Sequence, residues 1–400
     1  MVSPEVIQKL ALDNFEWVKN IRRHLHANPE LSFREENTSA FVQAKLTELG
    51  IPFKTGFAKH GIVATIGKGS RITALRADLD ALPIHEQNDC EYRSKVQGVM
   101  HACGHDVHTA CLLGAARILK SIENELDGTV VLVFQPGEEV LPGGASIMLA
   151  EGALDNPRPQ TIMAQHVFPE LEVGKVGFRP GMYMASTDEV RIWVNGKGGH
   201  GAMPHQNIDP VIIAAQLLVA LQQISSREAN PGIPTVLSFG KVEAKGSTNV
   251  IPDEVYLEGT FRTLNEHWRA AAHQQIVKIS NGLCESFGAT CHVQIDRGYP
   301  FLSNDEALTQ RNRKNAEVYL GAENVVDLAV RMTGEDFAYY AQQMPACFYR
   351  LGVRNEAKGI IHPVHNAKFD IDENALITGS GLMAWLAVNE LNYELAQQIR

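Results

Sequence analysis

The stretch MHACGHDVHTA, Met100 to Ala110, packs one thiol, three imidazoles and a carboxylate into eleven residues. Only Gly104 separates Cys103 from His105, so a tight turn there can aim a thiolate and an imidazole at one point. Taken singly, a cysteine of this kind is more often a buried structural residue and a histidine a surface one. The crowding of His101, His105, Asp106 and His108 just ahead of a helix shifts the reading towards metal ligation, for which thiolate and imidazole are common donors. A second element is PGEE, Pro136 to Glu139, directly after the apolar run TVVLVF. Adjacent glutamates are usually a solvated pair. Just past a buried strand and a Pro-Gly turn they face the crevice where α/β enzymes bind ligands. One carboxylate can then hold metal while the other moves protons, which is what metal-assisted hydrolysis requires. His166 and His365 stand at further strand ends and, alone, would read as structural. Asp78 and Asp80, in DLDALP, end another strand. Either can ligate a metal, orient a ligating imidazole, or serve merely as a turn acid.

The elements that must position these groups alternate in the first half of the chain. Gly61–Ile66 and Ile72–Arg76 read as short strands, Thr109–Ser121 as a helix, and Thr129–Phe134 as a strand buried on both faces. Val325–Met332 and Cys347–Val353 read as further strands, and Glu373–Ala396 as a closing helix. Such alternation predicts an α/β layer with a mostly parallel central sheet. The middle differs. Strand Asp188–Asn195, helix Pro210–Ser225, strands Thr235–Glu243 and Glu254–Arg262, helix Glu266–Ser286 and strand Ala289–Asp296 spell β-α-β-β-α-β, the ferredoxin-like unit. The expected organisation is a discontinuous larger domain, residues 1–183 and 298–400, interrupted by a smaller inserted one at 184–297. Turn-rich Pro180–Gly181 and Gly298–Pro300 mark the junctions.

A chain of 400 residues exceeds one ordinary core, which agrees with two domains. Its net charge of −10 argues against nucleic acid or an anionic membrane as partner. The longest apolar stretch, Val211–Leu221, is interrupted by Gln216 and falls short of the ~20 residues of a membrane span. Glu5, Asp13 and Glu16 break the apolar run a signal peptide would need, so the first residues read as an amphipathic helix. Six scattered cysteines fit reduced thiols rather than a disulfide framework. A cytoplasmic enzyme is expected.

The motifs as a set resemble the aminoacylase and glutamate-carboxypeptidase superfamily of co-catalytic metallopeptidases. The branch they resemble holds hippurate hydrolases, N-acyl-L-amino-acid amidohydrolases and auxin–amino-acid conjugate hydrolases. The matching segments run almost end to end: RRHLHANPELSF, RADLDALPI, MHACGHDVHTA, QPGEE, QHVFPELEVGKVG, GGHGAMPH, NVIPD, GTFR, TGEDFAYY and HNAKFDIDE. The resemblance implies that Cys103, His105, Glu139, His166 and His365 hold two divalent metal ions per subunit, with Asp80 behind them. Glu138 would be the general base that takes the proton of the attacking water and later returns it to the leaving amine. His200, an exposed loop histidine on its own merits, becomes an oxyanion stabiliser delivered into the partner subunit's site. Asn249 would bind the reacting carbonyl or the product carboxylate, and Arg262 the α-carboxylate of the amino acid. A homodimer follows, with a tetramer as the alternative. The wider superfamily has aspartates where this branch has Cys103 and histidines, so zinc, manganese, nickel and cobalt all stay open. Where the family often has proline, this chain has Ala367, a difference of loop stiffness.

The expected activity is therefore hydrolysis of N-acyl amino acids, hippurate-like, N-acetyl or aryl-acyl, to a carboxylic acid and a free amino acid. A dipeptidase or aminopeptidase would share the chemistry. A thiol hydrolase using Cys103 would leave PGEE, His166 and His365 without a task. A non-catalytic binding relative would have lost a donor or Glu138, and this chain retains all of them.

Overall fold

The computed structural model describes residues 2–393. These residues form two compact units, one of residues 2–181, 303–329 and 336–393, the other of 182–302 and 330–335.

The larger unit is built on an eight-stranded sheet in the order Phe53–Phe57, Gly61–Gly67, Thr129–Gln135, Ile72–Asp78, Thr161–Glu172, Ala346–Arg354, Val176–Phe178, Val325–Asp327. The four strands from Thr129–Gln135 to Ala346–Arg354 run parallel, and the strands next to them on either side are antiparallel. All seven residues of TVVLVFQ are buried, as a central parallel strand covered on both faces requires. Helix His105–Ser121 packs against strand Ile72–Asp78 and against helix Ala375–Leu391, so it is buried nearly all round. Register decides what stands at the sheet's carboxyl end. Asp78 lies opposite Gln135, and Arg76 lies opposite both Val133 and Ala164. Asp80 and Pro136–Glu139, which follow two of these strands, stand level with His166, which lies inside the third because that strand runs on to Glu172 rather than ending near Ala164 as expected.

The smaller unit has a four-stranded antiparallel sheet, ordered Thr235–Ala244, Glu254–Thr263, Asp188–Asn195, Thr290–Arg297. Strand Asp188–Asn195 buries every second residue, and Val190, Ile192 and Val194 join a core with Leu217, Leu257 and Ile276. Helices Pro210–Gln223 and Glu266–Ser286 pack against this sheet and each other. Each starts where its sequence says it should: the Asp209 carboxylate accepts from the amides of Val211 and Ile212, and Asn265 accepts from that of Trp268.

Three local readings change. The expected strand Val325–Met332 stops at Asp327, because its ladder partner Val176–Phe178 is only three residues long. The first amphipathic helix is two helices, Pro4–Asp13 and Phe15–Ala27, broken at Asn14. The closing helix spans Ala375–Leu391, and the last three residues of its expected range lie outside the described ones. Among the described residues no helix is long and apolar enough to cross a membrane.

Candidate metal centre

Gly104 makes the thiol–imidazole turn possible for two reasons. Its φ is +82°, and a Cβ there would lie 2.5 Å from the Val167 side chain. The turn leaves Cys103 buried and starts the helix at His105, also buried. The Cys103 Sγ is 3.4 Å from His166 Nε2. His166 donates its Nδ1 proton to the Val167 carbonyl at 2.7 Å, which keeps the Nε2 lone pair outward. Burial and the neighbouring Arg350 and His108 hold that ring well below the usual histidine range, in its neutral, ligating form.

His105 is oriented in the same manner. Its Nδ1 lies 3.2 Å from the Asp80 carboxylate, and its buried Nε2 has no hydrogen-bond partner. Across from it stands Glu139, whose Oε1 is 3.9 Å from His105 Nε2, 3.2 Å from His365 Nε2, and itself without a hydrogen-bond partner. His365 reaches this point from a backbone at φ +62°, uncommon for a residue with a side chain, held by its amide donating to the Ala102 carbonyl at 2.7 Å. The structure thus brings Cys103, His105, Glu139, His166 and His365 together as overlapping triads of donors. Glu138 joins His105 and Glu139 in one of them.

The electrostatics ask for a cation. Burial disfavours a charged His105, yet Asp78, Asp80 and Glu139 outweigh it and push its pKa up to about 10. Burial first, then Glu139 and Glu138, push the Cys103 thiol well above its ordinary range. A thiol so placed ionises when a metal displaces its proton, not as a free nucleophile, which disfavours the thiol-hydrolase alternative. Buried polar atoms of His105 and Glu139 left without hydrogen-bond partners, beside a thiol and further imidazoles, fit divalent transition metals.

Two residues of the crowded motif do other work. His108 donates Nδ1–H to Asp78 at 2.6 Å and accepts the Val167 amide at Nε2 at 2.9 Å, so both nitrogens are occupied. It is a strut between strand ends. Asp106 receives Arg22 at 2.9 Å and His26 at 2.8 Å, tying the motif to the N-terminal helices. Sequence reading also passed over Arg76, whose buried guanidinium binds Gln135, Asp78 and Asp336 at 2.7–2.9 Å. An arginine in the middle of an otherwise apolar strand was the signal for it. Asp336 in turn presents its amide 3.4 Å from Glu138 Oε1.

The remaining predicted residues belong to the smaller unit. His200 lies exposed on the two-residue strand Gly199–His200, paired with Val250–Ile251, and Asn249 adjoins it with its carbonyl accepting from Gly201. His200 Nδ1 accepts the Ala202 amide at 3.1 Å, which puts the neutral ring's proton on Nε2. Arg262 is half-buried with its Nε donating to Thr260; among the described residues no carboxylate lies within ion-pair distance of it.

A parallel-centred α/β sheet whose strand ends gather a thiolate, imidazoles and paired glutamates defines a metallohydrolase. The sequence matches the profile of peptidase family M20/M25/M40 over residues 74–389, and the chain belongs to that family. Among its relatives, the N-acetyl-L-cysteine deacetylase of Bacillus subtilis is 41% identical over 362 residues, covering 90% of this chain and 85% of that protein. The IAA-amino acid hydrolase ILR1-like 4 of Arabidopsis thaliana is 39% identical over 386 residues, covering 95% and 87%. The crystal structure of YXEP from Bacillus subtilis, described as a dinuclear metal binding peptidase of the M20 family, superposes with a TM-score of 0.82 at 35% identity, covering 94% of this chain and 98% of that one.

Proposed function

We propose that this chain is a metal-dependent amidohydrolase that cleaves N-acyl amino acids to a carboxylic acid and a free amino acid. The observation that carries the reading is the gathering of Cys103, His105, Glu139, His166 and His365 into overlapping triads, with buried polar atoms of His105 and Glu139 left without hydrogen-bond partners. These residues hold two divalent ions, drawn from zinc, manganese, nickel or cobalt, and Asp80 fixes the His105 tautomer. When bound, the ions supply Lewis-acid polarisation of the scissile carbonyl and acidify the attacking water. Glu138, 7% exposed and next to the donors, takes the water's proton and passes it to the leaving amine. His200 donates from Nε2 to the tetrahedral oxyanion, Asn249 assists at the carbonyl or the product carboxylate, and Arg262 clamps the amino acid's carboxylate.

In this reading residues 184–297 form a lid that pairs with its copy in a homodimer and delivers His200 to the partner subunit's centre. Support comes from helix Pro210–Gln223, which has no charged residue and leaves Val211, Ile212 and Val219 exposed opposite its core face. The cysteines are all free thiols, which supports a cytoplasmic setting. The relatives named for N-acetyl-cysteine and IAA-amino acids favour acyl amino acids over free dipeptides. A hydrolysis panel of N-acyl amino acids and dipeptides, run with each metal and after chelation, tests this. Acyl amino acids should turn over only with metal present; full activity after chelation, or faster dipeptide cleavage, overturns the proposal.

A further inference from the structure

The segment Asn28–Glu35, part of the first motif, has no role in the chemistry so far. It nevertheless lies directly on the groups that do. Glu30 caps helix Glu36–Glu48 by accepting from the amides of Asn37 and Thr38, and its own carbonyl accepts the Ala81 amide at 2.8 Å. Ser32 donates to Asp80 Oδ2 at 2.6 Å, and that oxygen also accepts the Glu139 amide at 2.9 Å. Glu35 is fully buried, and its Oε1 accepts two backbone amides, Phe33 at 2.9 Å and Gly137 at 2.8 Å. Phe33 sits at φ +61°, a strained conformation for an aromatic residue. Its ring fills the space beside Gly137, where a Cβ would come within 2.5 Å of ring carbons. Gly137 itself has φ +65° and immediately precedes Glu138.

We infer that Glu35 is a positioning residue for Glu138, holding the loop Pro136–Glu139 by one carboxyl oxygen bonded to the Gly137 amide, with the Phe33 ring as backstop. The inference rests on Glu138 being the proton carrier. Gly137, at positive φ, immediately precedes that glutamate, and an unheld loop would move the carboxyl by an ångström or more. A displacement of that size costs about 10²-fold in rate. The acceptor oxygen is what matters, not the charge: burial and the Asp80 carboxylate push Glu35 up to about 7, and a neutral side chain with an oxygen at the same place serves as well.

The test is a pair of conservative variants that reverses the usual expectation. Glu35→Gln keeps the acceptor and loses the charge. Glu35→Asp keeps the charge and withdraws the acceptor by one methylene. With an N-acyl amino acid as probe, Glu35→Gln should stay within about 3-fold of wild-type kcat, and Glu35→Asp should fall 10-fold or more, about 10²-fold at most. KM and metal content should be unchanged in both. Amide exchange in the metal-free protein should speed up over residues 133–140 in Glu35→Asp alone. Wild-type behaviour in both variants, equal losses in both, or Glu35→Asp the better of the two, overturns the inference. A Glu138→Gln control separates the two readings. Full activity in that variant refutes Glu138 as proton carrier, whereas a dead control beside an unaffected Glu35→Asp refutes the positioning role alone.

Discussion

The two units hold several of their candidate site residues in different ways. In the larger unit Cys103, His105 and His166 are buried, each imidazole oriented by a second group, Asp80 or the Val167 carbonyl. In the smaller unit His200 and Asn249 stand exposed at a short ribbon of two-residue strands, held by backbone pairing and by bonds from Ala202, Met203 and the Asn207 side chain. A ligand must be preorganised, because a metal's geometry tolerates little error. A donor to a transient oxyanion has to arrive only when substrate is present, so it can sit on a light, mobile support. The contrast predicts that changes in the larger unit alter metal content or fold as well as rate, while changes on the ribbon alter rate alone.

The sharpest probe of this contrast is Glu138→Gln, expected to lose about 10²–10⁴-fold in kcat while metal stays bound, measured by elemental analysis beside kinetics. Loss of metal in that variant would merge its role with that of Glu139. His200→Ala should lose about 10²–10³-fold with unchanged metal content and unchanged melting temperature. Mixing these two variants and allowing subunit exchange should restore about a quarter of wild-type activity, since half the dimers are mixed and each holds one complete site. No recovery despite proven exchange rules out a shared site. Next in size, Asp80→Ala should weaken metal affinity about 10–100-fold by releasing the His105 ring, read by competition with a chelating dye. An unchanged affinity would place the orientation of His105 elsewhere.

The last effect is on stability rather than rate, and it depends on pH. Glu35 is raised from the ordinary 4.5 to about 7, by burial first and then by Asp80. The fold therefore keeps a proton that the unfolded chain releases, so this contribution is complete below pH 4.5 and declines as pH rises to about 7. Glu35→Gln, which cannot ionise, should gain up to ~3 kcal/mol on wild type across that window. Asp106 has the opposite sign. Burial opposes its charge, but Arg22 and His26 hold it well below the carboxylate range, so its contribution is present at neutral pH and lost in acid. Melting curves of wild type and Glu35→Gln between pH 4 and 8 measure the difference; parallel curves would refute it.

Much of this was legible in the sequence because it is local. The apolar run Thr129–Phe134 specifies a buried strand without reference to its neighbours, and the spacing Cys103-Gly104-His105 specifies a turn that points two donors one way. The run of strands and helices from Asp188 to Asp296 set out the smaller unit's elements close to where they fold. Partnership is different. Sequence placed His108 among the metal candidates beside His105, and only the parallel register of three strands shows Asp78 and the Val167 amide occupying both of its nitrogens. From the residues alone Asp78 and Asp80 read alike, and only the resemblance singled out Asp80; the structure turns Asp78 towards Arg76 and His108, and Asp80 towards His105 and the Glu139 amide. Sequence reading assigned Arg76 and Glu35 no task, because the partners that define one, Gln135 and Asp336 for Arg76 and Gly137 for Glu35, lie 59, 260 and 102 positions away along the chain. Backbone conformation follows from a residue and its near neighbours, so sequence determined it. Which lone pair remains free for a metal depends on every group within about 3 Å, and those groups are assembled only by the tertiary fold.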